Sequence, residues 1–129
     1  MNDNHYQQNL YMKINLTITG CMGRMGQQLI RSSNKNKNFK IVSLTESFKI
    51  NRKINNILPE FNNVNSFKKT NIIIDFTVPK CTLEVLKIAS KLKKRVVIGT
   101  TGFTKSQENL IKKYSKNIPI LMAGNMSLG

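Results

Sequence analysis

The chain has 129 residues, enough for one domain with a buried core. Its 21 Lys and Arg against six Asp and Glu give a net charge of +15, yet only four of the 21 are Arg. The lysines are scattered and recur with Asn and Ile in "RSSNKNKNFK", "NRKINNI" and "FKKTN", a codon bias of A+T-rich genomes rather than a nucleic-acid face, which needs clustered arginines and stacking aromatics.

Residues 1–12, "MNDNHYQQNLYM", are polar and read as a disordered N-terminal extension, with Met12 a second candidate start. They carry neither the apolar core of a signal peptide nor the arginines of a transit peptide. No run in the chain is apolar for long enough to cross a bilayer. The first predicted strand is "KINLTIT", Lys13 to Thr19, with Ile14, Leu16 and Ile18 in alternation. Directly behind it comes "GCMGRMG", three of the chain's seven glycines at a spacing of three. A helix over Arg24 to Ser33 follows, with Met25, Leu29 and Ile30 on its apolar face. The strand "FKIVSLT" runs from Phe39 to Thr45.

Glu46 to Lys69 is Asn-rich and poorly periodic, with a helical turn around Ile54 to Leu58 and a short strand near Val64 as its only features. "NIIIDFT" is the most apolar run, and its consecutive isoleucines suit a strand buried on both faces. "CTLEVLKIASKLKK" places Leu83, Leu86, Ala89 and Leu92 on one helical face. "RVVIGTT" is another buried strand. "TKSQENLIKKYSKN" opens with the capping-box spacing of Thr104 and Gln107 and turns Leu110, Ile111 and Tyr114 inward. "IPILMA" closes the series. Strand and helix alternate, which defines an α/β fold: a Rossmann-like parallel sheet flanked by helices.

A strand, a glycine-rich turn and a helix in that order form a cradle for phosphate, with backbone N–H groups and the helix start supplying partial positive charge. Gly99, Gly102 and Gly124 likewise fall just beyond predicted strands, where open α/β sheets bind ligands. Glu46 stands at the end of the second strand, twenty positions after Gly26, where a carboxylate can accept hydrogen bonds from an adenosine ribose. Asp75 ends "NIIID" and is assigned a structural, turn-capping role. Cys21 and Cys81 fall in strand-to-helix turns and read as free thiols in a reducing cytoplasm; Cys81, near a helix start, is placed to have a lowered pKa. No metal-ligating pattern is visible.

"GCMGRMG", "IDFT" with Pro79 two residues on, "GTTGF" from Gly99 to Phe103 and "AGNMSLG" from Ala123 to Gly129 occur in that order. From Lys13 to the last residue the set resembles the N-terminal domain of bacterial 4-hydroxy-tetrahydrodipicolinate (dihydrodipicolinate) reductases, of the lysine and diaminopimelate pathway. The resemblance implies a domain over 13–129 that holds NADH or NADPH. Gly20, Cys21, Met22, Gly23, Arg24 and Met25 would lie at the pyrophosphate and Glu46 at the ribose. Gly99, Thr100 and Thr101 would lie by the nicotinamide, with Ala123, Gly124, Asn125 and Met126 beside it at a hinge and Thr101 also near the substrate.

Two departures stand out. Met126 replaces a common Phe, and Ser47 stands where an Arg often follows the acidic residue, which favours NADH slightly over NADPH. The family is also expected to carry a second domain that binds the small cyclic dicarboxylate, provides the general acid and forms a homotetramer. The only histidine here is His5, so the expectation is a cofactor-binding half, truncated at the hinge, with no catalytic residue of its own and no turnover alone. A different Rossmann oxidoreductase and a stand-alone dinucleotide-sensing module remain as alternatives; neither a nucleic acid nor a membrane is an expected partner.

Overall fold

The computed structural model describes residues 12–123. Five parallel strands form one sheet: β1 (Ile14–Ile18), β2 (Phe39–Leu44), β3 (Ile72–Asp75), β4 (Arg95–Ile98) and β5 (Ile120–Met122). The helices are α1 (Arg24–Asn34), α2 (Val64–Phe67), α3 (Pro79–Leu92) and α4 (Lys105–Ser115). The strand order is β2-β1-β3-β4-β5. The chain therefore winds outward from β1 in one direction to β2 and in the other to β3, β4 and β5. The point where the winding reverses, between the carboxyl ends of β1 and β3, opens the crevice in which such sheets hold ligands.

The two faces of the sheet are packed differently. Ile73, Val96 and Ile98 join Phe67 of α2, Val85, Leu86 and Ala89 of α3 and Ile111 of α4 in one buried cluster. On the other face Ile18, Ile41 and Leu44 pack with Ile30 of α1 and with Cys21. α1 covers only the β1 and β2 end of that face, so Ile72 and Ile74 are half-buried and Leu121 is 64% exposed. The expectation that the isoleucine strand is buried on both faces thus holds on the face of Ile73 and not on that of Ile72 and Ile74, which is only half covered.

Local chemistry sets the element ends. Pro79 occupies the first turn of α3, where its missing N–H costs nothing, and α3 stops at Lys93 in the left-handed region (φ 57°, ψ 43°). Thr104 and Gln107 form the predicted capping box of α4. Three expectations are corrected. Residues 54–57 make a tight turn closed by an Ile54–Ile57 bridge, with Asn55 and Asn56 both at positive φ, and not a helical turn. The Val64 segment is a one-turn helix capped by Asn63 and Ser66, not a strand, because the two side chains satisfy each other's backbone donors. Met25 and Leu110 are each 41% exposed; Gly26 and Ser33 take part in the buried side of α1 instead.

Candidate functional site at the switch point

The glycine loop is built by close backbone approach. Gly20 has φ +57°, and a Cβ there would lie 2.7 Å from Thr77 Cγ2. Its carbonyl accepts the Gly23 N–H at 3.0 Å. Gly26 packs the first turn of α1 onto that same carbonyl so tightly that a Cβ would sit 2.2 Å from the oxygen. Gly23 differs from both. It is exposed, has φ −70°, and a Cβ would meet only Gly20 O at 3.3 Å. Gly23 is also the N-cap of α1 and caps it with no side chain, so the first N–H groups of the helix, lacking intrahelical partners, face outward as a partial positive pole.

Glu46 lies across this loop. Its Oε2 accepts the Met22 N–H at 3.0 Å and its Oε1 the Ser47 N–H at 2.9 Å, which fixes the carboxylate at the rim. Cys21, by contrast, points into the core and spends its N–H on Thr45 O at 3.1 Å. Burial, helped by the Glu46 charge, pushes its thiol up to about 11. Arg24 and Met25 are exposed beside Gly23, and Met22 is half-buried. Of the six predicted pyrophosphate-loop residues, Gly23, Arg24 and Met25 therefore offer open surface. Gly20 and Cys21 shape it from beneath.

Asp75 organises the adjoining strand ends. It is fully buried. Its Oδ1 accepts from Thr19 Oγ1 (2.5 Å) and Thr77 Oγ1 (2.9 Å), and its Oδ2 from Thr82 and Thr100. Thr100 Oγ1 also accepts the Thr77 N–H at 2.8 Å. One carboxylate thereby joins β1, the loop after β3, the second turn of α3 and the end of β4. The structural role read from the sequence is what the structure shows, on a larger scale than one turn. Alternating threonines just beyond apolar strands were the available signal.

The nicotinamide-side residues separate in the structure. Gly99 is covered by Phe76, whose Cε1 would be 1.9 Å from a Cβ there, so this glycine serves the aromatic contact. Thr100 is buried with its hydroxyl in the Asp75 network, whereas Thr101 is exposed. Ala123 joins this edge through its N–H to Ile98 O at 2.7 Å. Gly124, Asn125 and Met126 lie outside the described residues, as do His5 and the predicted disordered extension up to residue 11.

Two clefts adjoin Glu46, and the smaller one also touches Gly20 of the glycine loop. One, of about 260 Å³, lies between Thr45, Asn62, Phe76 and Thr77. The other, of about 450 Å³, reaches Phe61, Lys80 and Glu84. The sequence reading missed Asn62, Phe76 and Lys80 here. Asn62 is hidden in an Asn-rich segment, and Lys80 is one lysine among many. Cys81 lines both clefts, and its pKa is raised, not lowered: burial outweighs the Thr77 hydrogen bond, and the Asp75 charge adds to the rise. Among the described residues no group of three His, Cys, Asp or Glu is placed to hold a metal ion, and no helix is long and apolar enough to cross a membrane.

The reversal of strand order, the glycine loop with its uncapped helix start and the acidic residue after β2 define a Rossmann-like α/β domain. The sequence profile described as "Dihydrodipicolinate reductase, N-terminus" matches residues 14–126, and the chain belongs to that family. The 4-hydroxy-tetrahydrodipicolinate reductase of Pelagibacter ubique is 68% identical over 117 residues, which cover 91% of this chain and 45% of that protein. That of Rickettsia bellii is 34% identical, over 92% of this chain and 44% of the relative. A solved dipicolinate-bound dihydrodipicolinate reductase from Paenisporosarcina sp. TG-14 superimposes with a TM-score of 0.69 at 27% identity, over 88% of this chain and 48% of that one. An S. aureus homoserine dehydrogenase, 20% identical with a TM-score of 0.61, shares the fold. The chain spans a little under half the length of the curated relatives it matches.

Proposed function

We propose that residues 13–129 are the cofactor-binding part of a cytoplasmic 4-hydroxy-tetrahydrodipicolinate reductase, holding NADH or NADPH in lysine and diaminopimelate biosynthesis. The observation that carries the reading is the division of labour among the three loop glycines. Gly20 and Gly26 are filled by neighbouring atoms, while Gly23 alone is open, at an uncapped helix start. Such a surface admits a pyrophosphate against bare backbone. Gly23, Arg24 and Met25 would hold it, and Glu46, already oriented by Met22 and Ser47, would accept from the adenosine ribose.

Bound here, the nicotinamide would supply a hydride to the ring of a small cyclic dicarboxylate, with loss of the 4-hydroxyl as water. This chain's residues orient: the Asp75 network fixes Thr100 next to exposed Thr101, and Ala123, Gly124, Asn125 and Met126 would complete the nicotinamide side. Holding the substrate at reacting distance and assisting the departing hydroxyl need groups beyond these. We assign those tasks, and the homotetramer, to the half of the relatives' length that this chain does not match. The 129-residue chain is expected to bind dinucleotide without oxidising it when freshly generated substrate is added.

The residues lining the clefts beside Glu46 support a preference between the two cofactors. Glu46, Glu84 and Lys80 line the larger cleft, and neither Lys49 nor Arg52 lines either one. Two carboxylates against one ammonium disfavour a 2′-phosphate, so NADH is expected to bind more tightly than NADPH. Paired fluorescence titrations test both claims. Gly23→Val should abolish binding and leave the melting temperature within a few degrees. Undiminished NADH affinity in a folded Gly23→Val variant would remove the loop from the site.

A further inference from the structure

Charge is segregated along the strand direction. Among the described residues every carboxylate lies toward the carboxyl end of the sheet. Glu46 follows β2, Glu60 is bridged to Thr45, and Asp75 ends β3. Glu84 lies in the first half of α3 and Glu108 in the first turn of α4. At the opposite end a cleft of about 440 Å³ opens between the first residues of β1, β3 and β4. Lys13, Lys93, Lys94 and Arg95 all line it, and no carboxylate does. Four like charges around one cleft repel, and nothing in its wall offsets them. Two of the four have structural uses: Lys93 Nζ reaches Asn117 Oδ1, and Lys94 Nζ donates to Lys68 O at 3.2 Å. Lys13 and Arg95 are exposed and, among the described residues, make no side-chain hydrogen bond or ion pair. Neither offsets a helix dipole, since Lys13 precedes β1 and Arg95 opens β4. Asn71 adds a neutral donor. Its Oδ1 accepts the Asn15 N–H at 2.8 Å, which leaves the amide nitrogen for another partner.

We propose that this cleft binds a polyphosphate chain, at the end of the sheet opposite the dinucleotide crevice. The Arg95 guanidinium matches two oxygens of one phosphate, while the lysines act as point charges on its neighbours. The cleft volume falls in the range of small-molecule sites. No aromatic side chain lines it, so a base has nothing to stack on and phosphate is the group recognised. A bound polyanion would also relieve the repulsion among the four cations. The proposal does not depend on the dinucleotide reading.

The test is calorimetric titration of the full chain with inorganic tripolyphosphate at about 0.15 M salt, with and without saturating NADH. Tripolyphosphate should bind at least about tenfold more tightly than orthophosphate, and NADH should change its affinity less than about twofold. Lys13→Gln combined with Arg95→Gln should weaken it at least about tenfold. Lys53→Gln combined with Lys87→Gln removes the same charge from exposed positions outside the cleft and should weaken it less than about twofold. All four positions are exposed, so neither pair should lower the melting temperature. Equal losses in the two pairs would overturn the proposal by assigning the binding to net charge alone. Displacement by NADH would overturn it too, by placing the anion at the glycine loop. ATP, added with NADH present, distinguishes the source. Affinity equal to that of tripolyphosphate supports the phosphate tail of a nucleotide, and weaker binding supports an inorganic polyphosphate. A parent chain that does not bind NADH would sink the dinucleotide reading, and the two variant pairs would still decide this one.

Discussion

Glycines that look alike in "GCMGRMG" have different consequences when replaced. At Gly26 an added Cβ would lie 2.2 Å from Gly20 O and 2.8 Å from Cys21 Cα, both backbone atoms that cannot swing aside. Gly26→Ala should therefore cost about 1–3 kcal/mol or more of stability, the range for overpacking, in urea unfolding. Gly23→Ala, with φ −70° and a 3.3 Å contact at most, should cost under about 1 kcal/mol. Cys21 gives a second residue-scale prediction, in pH. Its native pKa, raised by burial from the ordinary 9.0 to about 11, means that the folded state holds the thiol proton longer than the unfolded chain does. That contribution to stability is complete below pH 9 and is lost as pH rises through about 11. Stability measured against pH should fall more steeply across that window in the parent than in Cys21→Ala. Parallel curves would show that the thiol is not held protonated by the fold.

At the scale of elements, α3 ends on an avoidable strain. Lys93 occupies a left-handed position that a side chain disfavours, although its Nζ reaches Asn117 Oδ1. Lys93→Gly should raise the urea midpoint, by about 0.5–1 kcal/mol less whatever the Asn117 contact contributes. A lower midpoint would make that contact the larger effect. The α4 cap, with Thr104 Oγ1 accepting from Gln107 N–H at 3.1 Å, was legible as a spacing of three because capping is local. So were the five strands, since apolar alternation or a short apolar run is a property of neighbouring residues. Residues 54–67 were not legible. Asn recurs throughout the chain, so its specific uses at positive φ in Asn55 and Asn56 and as a cap in Asn63 were hidden in the background. The cleft residues Asn62 and Phe76 were missed for a further reason. What matters about them is what lies opposite across the sheet end, and no local pattern encodes that. The Asp75 network shows the same limit, since its four threonines come from four segments.

For the molecule as a whole the dominant quantity is charge. A chain of +15 repels itself when compact. Salt at about 0.15 M shortens the range of that repulsion to roughly 8 Å, so the melting temperature should rise between low and physiological ionic strength. Dinucleotide affinity should fall over the same range, because the long-range attraction of a cationic chain for an anion is screened too. Opposite signs in the two curves would separate the general field from the local site. A melting temperature that falls with salt would mean that local pairs outweigh the net charge. Asp75 adds a consequence in the time domain. The amides of Thr19, Thr77 and Gly99 are bonded to Ile74 O, Thr100 Oγ1 and Asp75 O, all on segments tied together by that one carboxylate. None of these segments can open alone, so in deuterium exchange the three amides should share one protection factor. Asp75→Asn, which alters one acceptor at the centre, should make all three exchange faster together while the amides of α4 keep their rates.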